Sequence, residues 1–214
     1  MDRNTEKRGL FIVLEGIDGA GKTTQAELLE AHLLSLGRRV HRTAEPTSYP
    51  SGVALREALS GRVCKTECEM ATMFTLDRIA HNTDKDGGLA ALLEAGISVI
   101  CDRYYYSTLA YQGHSTDYEW VKAMNLSCPE ILKPDVCIYL DLTPEQSLER
   151  IRRGRDGVEI YENLDTLEKV RRAFFYVFED LSESENIAIV DAYRDPSEIS
   201  KDLCGIVDAV FDRI

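Results

Sequence analysis

No apolar run in the chain approaches about 18 residues, the length a helix needs to cross a bilayer, so no membrane span is expected. The first residues, MDRNTEKRG, are charged and lead into no apolar h-region, so the stretch does not read as a secretory signal. Cysteine is present but unorganised. Cys64, Cys68, Cys101, Cys128, Cys137 and Cys204 include no C-x-x-C pair and share no zinc-ligand spacing with histidine. Cys101 and Cys137 sit in apolar runs and are expected to be small core residues. Reduced thiols without a signal point to a cytoplasmic protein. Positive charge is scarce: 25 Lys and Arg face 37 Asp and Glu, a net charge of −12, which argues against nucleic acid as a partner. Repeats, low-complexity tracts and an interdomain linker are also lacking. The 214 residues therefore read as one domain, large enough to bury a full core. There is no H-R-D-type catalytic loop, no glutamine placed to orient a water, and no N-K-x-D element for reading guanine.

What the chain does have is concentrated in Leu10–Thr24, LFIVLEGIDGAGKTT. A short apolar run ends at Glu15, Gly16–Thr23 fits G-x-x-x-x-G-K-[ST], and a helix-forming pattern follows. Glycines in such a loop let the backbone turn tightly and bring N–H groups up to an anion. The helix N-terminus behind them adds a favourable dipole. Lys22 is placed to reach the outer phosphates of a nucleoside triphosphate, and the Thr23 hydroxyl to hold Mg²⁺. The expected ATP-binding set is Gly16, Asp18, Gly19, Ala20, Gly21, Lys22, Thr23 and Thr24.

Beyond this loop, residues 22–36 read as an amphipathic helix carrying Leu28, Leu29, Leu33 and Leu36, stopped by Gly37. Strands are expected at 39–44, 97–101, 135–140 and 186–190, in addition to the run before the loop. Helices are expected at 53–59, 67–81, 88–94 and 165–181, with a mostly helical stretch over 104–127 broken around Gln112-Gly113. Thr143-Pro144-Glu145-Gln146 and Asp195-Pro196 are helix starts, each with a capping residue ahead of proline. Strands alternating with helices, and apolar throughout as in FIVL, SVIC and VCIYL, predict an α/β fold. Its core is a five-stranded parallel sheet flanked by helices, a three-layer sandwich. A ligand should lie at the carboxyl ends of the strands, where Gly16–Thr23, Glu45-Pro46 and Asp102-Arg103 would share one edge.

Three clusters carry chemistry. Asp102 at a strand end can hold Mg²⁺ with Thr23, and Arg103 beside it can grip a phosphate bidentately. Arg150, Arg152, Arg153 and Arg155 crowd together in an otherwise acidic chain, interrupted by Gly154 and Gly157. They read as a mobile lid at about 152–160 that closes over a transferring phosphate. Phe74, Asp77, Arg78 and His81 share one helix face, where Phe74 could stack on a base and Arg78 reach its edge or a phosphate. His81 is not expected to be catalytic. A phosphate acceptor also makes sense of the missing catalytic loop. A nucleoside monophosphate, with a second pKa of about 6, is already ionised near neutral pH and needs only alignment and charge neutralisation.

Taken together, FIVLEGIDGAGKTTQ, the Glu45-Pro46 loop, Phe74 with Asp77-Arg78, DRYYYSTLAYQG, KPDVCIYLDLTPEQSLERIRRGR and Tyr161-Glu162 resemble the thymidylate kinase family over essentially the whole chain. The resemblance implies a single kinase domain over 1–214 that transfers the ATP γ-phosphoryl group to dTMP, giving dTDP and ADP, with Mg²⁺. It also implies a homodimer. Asp18, Glu45, Arg56, Phe74, Arg78, Arg103, Thr108, Tyr111 and Gln112 fall where the family meets its acceptor. Phe74 would stack on thymine, Arg78, Thr108 and Gln112 contact the base, and Tyr111 crowd out a ribose 2′-hydroxyl. Lys22, Arg103, Arg153 and Arg155 fall where catalysis is carried, and Thr23 and Asp102 at the metal. Family members place a catalytic arginine either in the phosphate loop or in the lid. Asp18-Gly19-Ala20 implies the lid type here. One departure is Ala44-Glu45-Pro46-Thr47, where Arg-Glu-Pro-Gly is common. The alternatives are a kinase for another monophosphate, a nucleoside kinase with Glu15 or Glu45 as base, or a nucleotide-dependent switch.

Overall fold

Three apolar runs form the inner strands of the sheet: β1 (Phe11–Glu15), β3 (Ser98–Asp102) and β4 (Val136–Asp141). Every residue of β1 is buried, and each buried Val, Leu, Ile or Phe side chain contributes about 1.5–3 kcal/mol. The polar β2 (Val40–Ala44) and the apolar β5 (Ile187–Asp191) lie at the two edges, half-exposed. The order is β2-β3-β1-β4-β5 and every pairing is parallel. A computed structural model describes residues 8–154 and 164–213, the side chains of 152–154 excepted. Of the lid expected at about 152–160 only the backbone of 152–154 is described; the side chain of Arg153, all of Arg155 and Tyr161-Glu162 lie outside the described residues.

Helices cover both faces. In chain order they are α1 (Lys22–Ser35), α2 (Pro50–Leu59), α3 (Glu67–Thr83), α4 (Leu89–Glu94), α5 (Tyr105–Ser115), α6 (Tyr118–Leu126), α7 (Pro144–Gly154), α8 (Leu164–Leu181) and α9 (Pro196–Phe211). Among the described residues, two begin with reciprocal caps. Thr66 and Glu69 form a complete capping box at α3. At α7, Thr143 N donates to Gln146 Oε1 at 2.9 Å and Gln146 N to Thr143 Oγ1 at 3.4 Å. Cys101 and Cys137 are buried in β3 and β4.

Two expectations need correction. The stripe that α1 buries is Gln25, Ala26, Leu29 and Leu33, whereas Leu28 and Leu36 are 37% and 53% exposed. The break between α5 and α6 falls at Thr116-Asp117, not at Gln112-Gly113. Gly113 is helical, and the Tyr118 ring passes within 3.1 Å of where a Cβ would stand, which leaves no room for a larger residue. The Asp117 carboxylate then caps α6 by accepting from Trp120 N.

β1 sits between β3 and β4, and its register sets Leu14 beside Asp102 and Glu15 beside Tyr139. Ala44 of β2 also pairs with Asp102. The loops leaving β1, β2 and β3 therefore emerge side by side at the carboxyl edge, where the strand order reverses and α/β sheets bind ligands.

Candidate active site

The loop after β1 closes against the first turn of α1. Gly21 occupies the N-cap position with φ 92°, and no side chain caps the helix, so its first N–H groups remain for an anion. Lys22 is 8% exposed; its ammonium donates to Gly16 O at 3.0 Å and Ile17 O at 3.4 Å. Burial, aided by the like charge of Arg103, lowers its pKa, while Asp102, Asp18 and Glu15 oppose the shift. α7 presses on the loop from above. Ser147 Oγ donates to Asp18 O at 2.5 Å, and a Cβ on Gly19 would stand 2.9 Å from Ser147 O.

Asp102 ends β3 with its Oδ2 3.5 Å from the Thr23 hydroxyl. Its Oδ1 is buried and has no hydrogen-bond partner among the described residues. An oxygen-only pair with one buried carboxylate oxygen unmatched suits a hard divalent cation such as Mg²⁺. Arg103 follows with a left-handed backbone, φ 69°. Its guanidinium reaches Asp18 Oδ1 through Nη2 and Ser107 Oγ at 3.1 Å through Nη1. Its pKa stays well above the ordinary value: burial pulls it down, but Tyr111, Asp18, Glu15 and Asp102 outweigh that.

Asp18, Glu45, Arg56, Phe74, Arg78, Arg103, Thr108, Tyr111 and Gln112, every residue assigned to the acceptor, line one cavity of about 410 Å³. Phe74 is half-buried against Leu55, Ala58 and Met70 of α2 and α3. Arg78 is wholly buried: Glu45 Oε2 lies 2.7 Å from its Nη2, Thr108 Oγ1 accepts from the same nitrogen at 3.1 Å, and Asn125 Oδ1 accepts from Nη1 at 2.5 Å. The Tyr104 ring lies 5.0 Å from the guanidinium. The other Glu45 oxygen meets His81 Nδ1 at 3.0 Å, and His81 Nε2 meets Thr43 Oγ1 at 2.9 Å, so the imidazole braces the carboxylate from behind. Gln112 Oε1 is buried with no hydrogen-bond partner among the described residues. Burial raises the Tyr111 phenol to about 12 against the opposing charge of Arg103. Arg56 is turned onto backbone, donating to Thr47 O and to Pro46 O at 3.0 Å.

A second cleft of about 550 Å³ is lined by Gly19, Gly21, Lys22, Thr23, Thr24 and Asp102. Asp18, Glu45, Pro46, Arg56 and Arg103 line both clefts, so the two meet at the Asp18–Arg103 pair. Of the expected triphosphate set, Gly16 and Ala20 lie beneath, Gly16 supplying the carbonyl under Lys22.

Sequence reasoning missed several partners. Asp77 accepts from Thr47 N, Thr47 Oγ1 and Ser51 Oγ, pinning the loop after β2. That helix face therefore holds a loop as well as lining the cavity. Asn125, which orients Arg78, comes from α6 and carries no local signal. Arg150, seen only as one of a cluster, donates to Ala192 O at 2.7 Å and Gly19 O at 3.4 Å, tying α7 across the phosphate loop.

A family model described as Thymidylate kinase matches residues 14–203. A protein of Methanococcus aeolicus described as a probable thymidylate kinase is 39% identical over 178 residues, covering 82% of this chain and 83% of its own. One of Pyrococcus abyssi, described in the same words, is 36% identical over 94% of this chain and 96% of its own. A thymidylate kinase of Leptospira interrogans is 38% identical over 78% of this chain and 81% of its own.

Proposed function

The chain belongs to the thymidylate kinase family, and we propose that it transfers the γ-phosphoryl group of ATP to dTMP across the junction of the two clefts. The observation that carries the reading is that junction. A phosphate-binding loop opens on one side of Asp18 and Arg103, and a base-sized cavity opens on the other. A donor in one and an acceptor in the other would bring their phosphates together there.

The donor phosphates would lie on the N–H groups of Gly19–Thr24, with Lys22 exchanging its two carbonyl partners for phosphate oxygens. Thr23 and Asp102 would hold Mg²⁺, which supplies charge neutralisation at the outer phosphates. In the acceptor cavity Phe74 would stack on thymine. The buried, unmatched Gln112 Oε1 is an acceptor suited to the thymine N3–H, while Arg78 offers donors to a base carbonyl. Arg103 would hold the acceptor phosphate, with Asp18 beside it. The acceptor arrives ionised, so catalysis reduces to placing two phosphates in line and neutralising them. Arg153 and Arg155, in a lid at about 152–160, would supply the remaining positive charge from the donor side.

A nucleoside kinase would instead need a free carboxylate base near a 5′-hydroxyl. Glu15 is wholly buried and accepts three hydrogen bonds, and both oxygens of Glu45 are engaged by Arg78 and His81. Neither suits that role. We further propose a cytoplasmic homodimer. Among the described residues no helix is long and apolar enough to cross a membrane. α2 and α3, which pack on each other, present Val53 and Leu76 to solvent, 51% and 58% exposed.

The test is ADP release against dTMP, dUMP, dCMP, UMP, AMP and thymidine. The expected result is a strong preference for dTMP. A preference for AMP or thymidine overturns the assignment.

A further inference from the structure

Glu15 ends β1 immediately before the phosphate loop, fully buried beneath the junction of the two clefts. A carboxylate there is costly to bury, and burial raises its pKa against the opposing charge of Arg103. An apolar residue would fill the space more cheaply, so the polar contacts must account for it. They are specific. Glu15 Oε1 accepts from Tyr104 N at 2.9 Å and Ser107 N at 3.1 Å; Glu15 Oε2 accepts from Ser107 Oγ at 2.6 Å. Tyr104 is the N-cap residue of α5 and its own side chain makes no cap. The first turn of α5 is therefore capped from a different strand, by a charge suited to a helix N-terminus.

The same contacts reach Arg103. Ser107 Oγ has one hydrogen, which it donates to Glu15, leaving its lone pairs for Arg103 Nη1 at 3.1 Å. Without the carboxylate the hydroxyl could rotate and lose that polarity. Arg103 also has the single positive φ among the described non-glycine residues, a conformation that persists only when its surroundings over-determine it. Its N–H is fixed by Leu14 O at 3.0 Å, and the residues after it by Glu15.

We propose that Glu15 is a positioning residue for phosphoryl transfer, setting the Arg103 guanidinium at the cleft junction through Ser107 and the capped first turn of α5. The inference rests on the reading of Arg103 as the acceptor-phosphate ligand and deepens it. Glu15 takes no proton and touches neither substrate.

The test uses Glu15→Gln, Ser107→Ala, Arg103→Ala and the Ser107→Ala/Arg103→Ala double variant in the full chain, with kcat, KM for dTMP, KM for ATP and thermal midpoint measured for each. Glu15→Gln keeps the volume and one acceptor oxygen but removes the charge and the acceptor for Ser107. A bond to a charged group being lost, kcat/KM for dTMP should fall roughly tenfold in Glu15→Gln and Ser107→Ala, with KM for ATP within about twofold. The Ser107→Ala effect should vanish in the Arg103→Ala background, because both changes then remove one interaction. If both single variants lower the thermal midpoint yet keep kcat/KM for dTMP within about twofold, Glu15 is structural only and the proposal is wrong. It is equally wrong if the Ser107→Ala loss multiplies unchanged onto Arg103→Ala. Wild-type kinetics in Arg103→Ala would instead overturn the reading of Arg103, a result distinguishable from the other two.

Discussion

Glu45→Ala should unfold the protein more readily than its single lost side chain suggests. The Glu45 and Arg78 side chains are 2% and 1% exposed, 2.7 Å apart, so the substitution leaves a buried guanidinium without its counter-charge. Breaking such a pair from one side costs about 3–5 kcal/mol. Arg78 keeps Asn125 Oδ1 and Thr108 Oγ1 as acceptors, which places the loss toward the lower end, about 3 kcal/mol. His81 also loses its Nδ1 partner. For a chain of this length the thermal midpoint should fall by about 6–12 °C. Urea titration followed by circular dichroism measures the loss as a lower midpoint at an unchanged slope. A loss below about 1 kcal/mol would mean that water or a moved side chain neutralises Arg78, and the buried-pair argument would fail. The paired change Glu45→Leu with Arg78→Met separates folding from recognition. Apolar groups of similar volume should restore most of the stability, because neither charge then needs solvation. Activity on dTMP should stay at least tenfold down, since the base-facing donors are gone.

Three further outcomes are expected. Asp102→Asn should raise the Mg²⁺ concentration for half-maximal rate on the order of tenfold, read from a metal titration at fixed ATP; an unchanged value would remove Asp102 from the metal site. Glu69 is held at about 2 by the Lys65 ammonium and the Thr66 N–H, below its ordinary 4.5. A depressed carboxylate stabilises the fold above its unfolded value and loses that contribution as pH falls through the folded one. The stability difference between the wild-type chain and Glu69→Gln should therefore be full above about pH 4.5 and fade toward pH 2; a difference constant across that window refutes the account in which the ionised carboxylate is held by Lys65 and the Thr66 N–H. Leu76→Glu should shift the proposed dimer toward monomer in light scattering, whereas an unchanged mass would place the interface elsewhere.

Much of this was legible in the sequence because the relevant signals are local. The phosphate loop is a contiguous motif, the cap at Thr143 is a four-residue pattern, and the buried strands are apolar runs. What escaped depends on distant contacts. Leu28 and Leu29 look alike in sequence, and only the packing of α1 shows that Leu29 and Leu33 face inward. Gly113 reads as a helix breaker, yet it lies within α5, where its missing side chain admits the Tyr118 ring. Asn125 acts through Arg78, 47 positions away, from an otherwise ordinary amphipathic helix. Arg56, placed at the acceptor by the resemblance, lines the cavity while its guanidinium rests on the carbonyls of Pro46 and Thr47.

The glycine at position 19 shows how one packing choice constrains the chemistry. Its φ is 76°, and a Cβ there would meet Ser147 O at 2.9 Å and Ile151 Cγ1 at 3.2 Å. An arginine at this position would need α7 to withdraw, breaking the Ser147–Asp18 bond that shapes the loop. The close seat of α7 thus removes any side chain from the middle of the phosphate loop. It also brings the arginine-rich end of α7 over that loop, with Arg150 already donating to Gly19 O. On the proposed reading, further positive charge for the transferring group would come from beyond Arg150, where Arg152, Arg153 and Arg155 follow in sequence. The bare glycine and the Arg150 guanidinium above it both follow from one helix lying close against one loop.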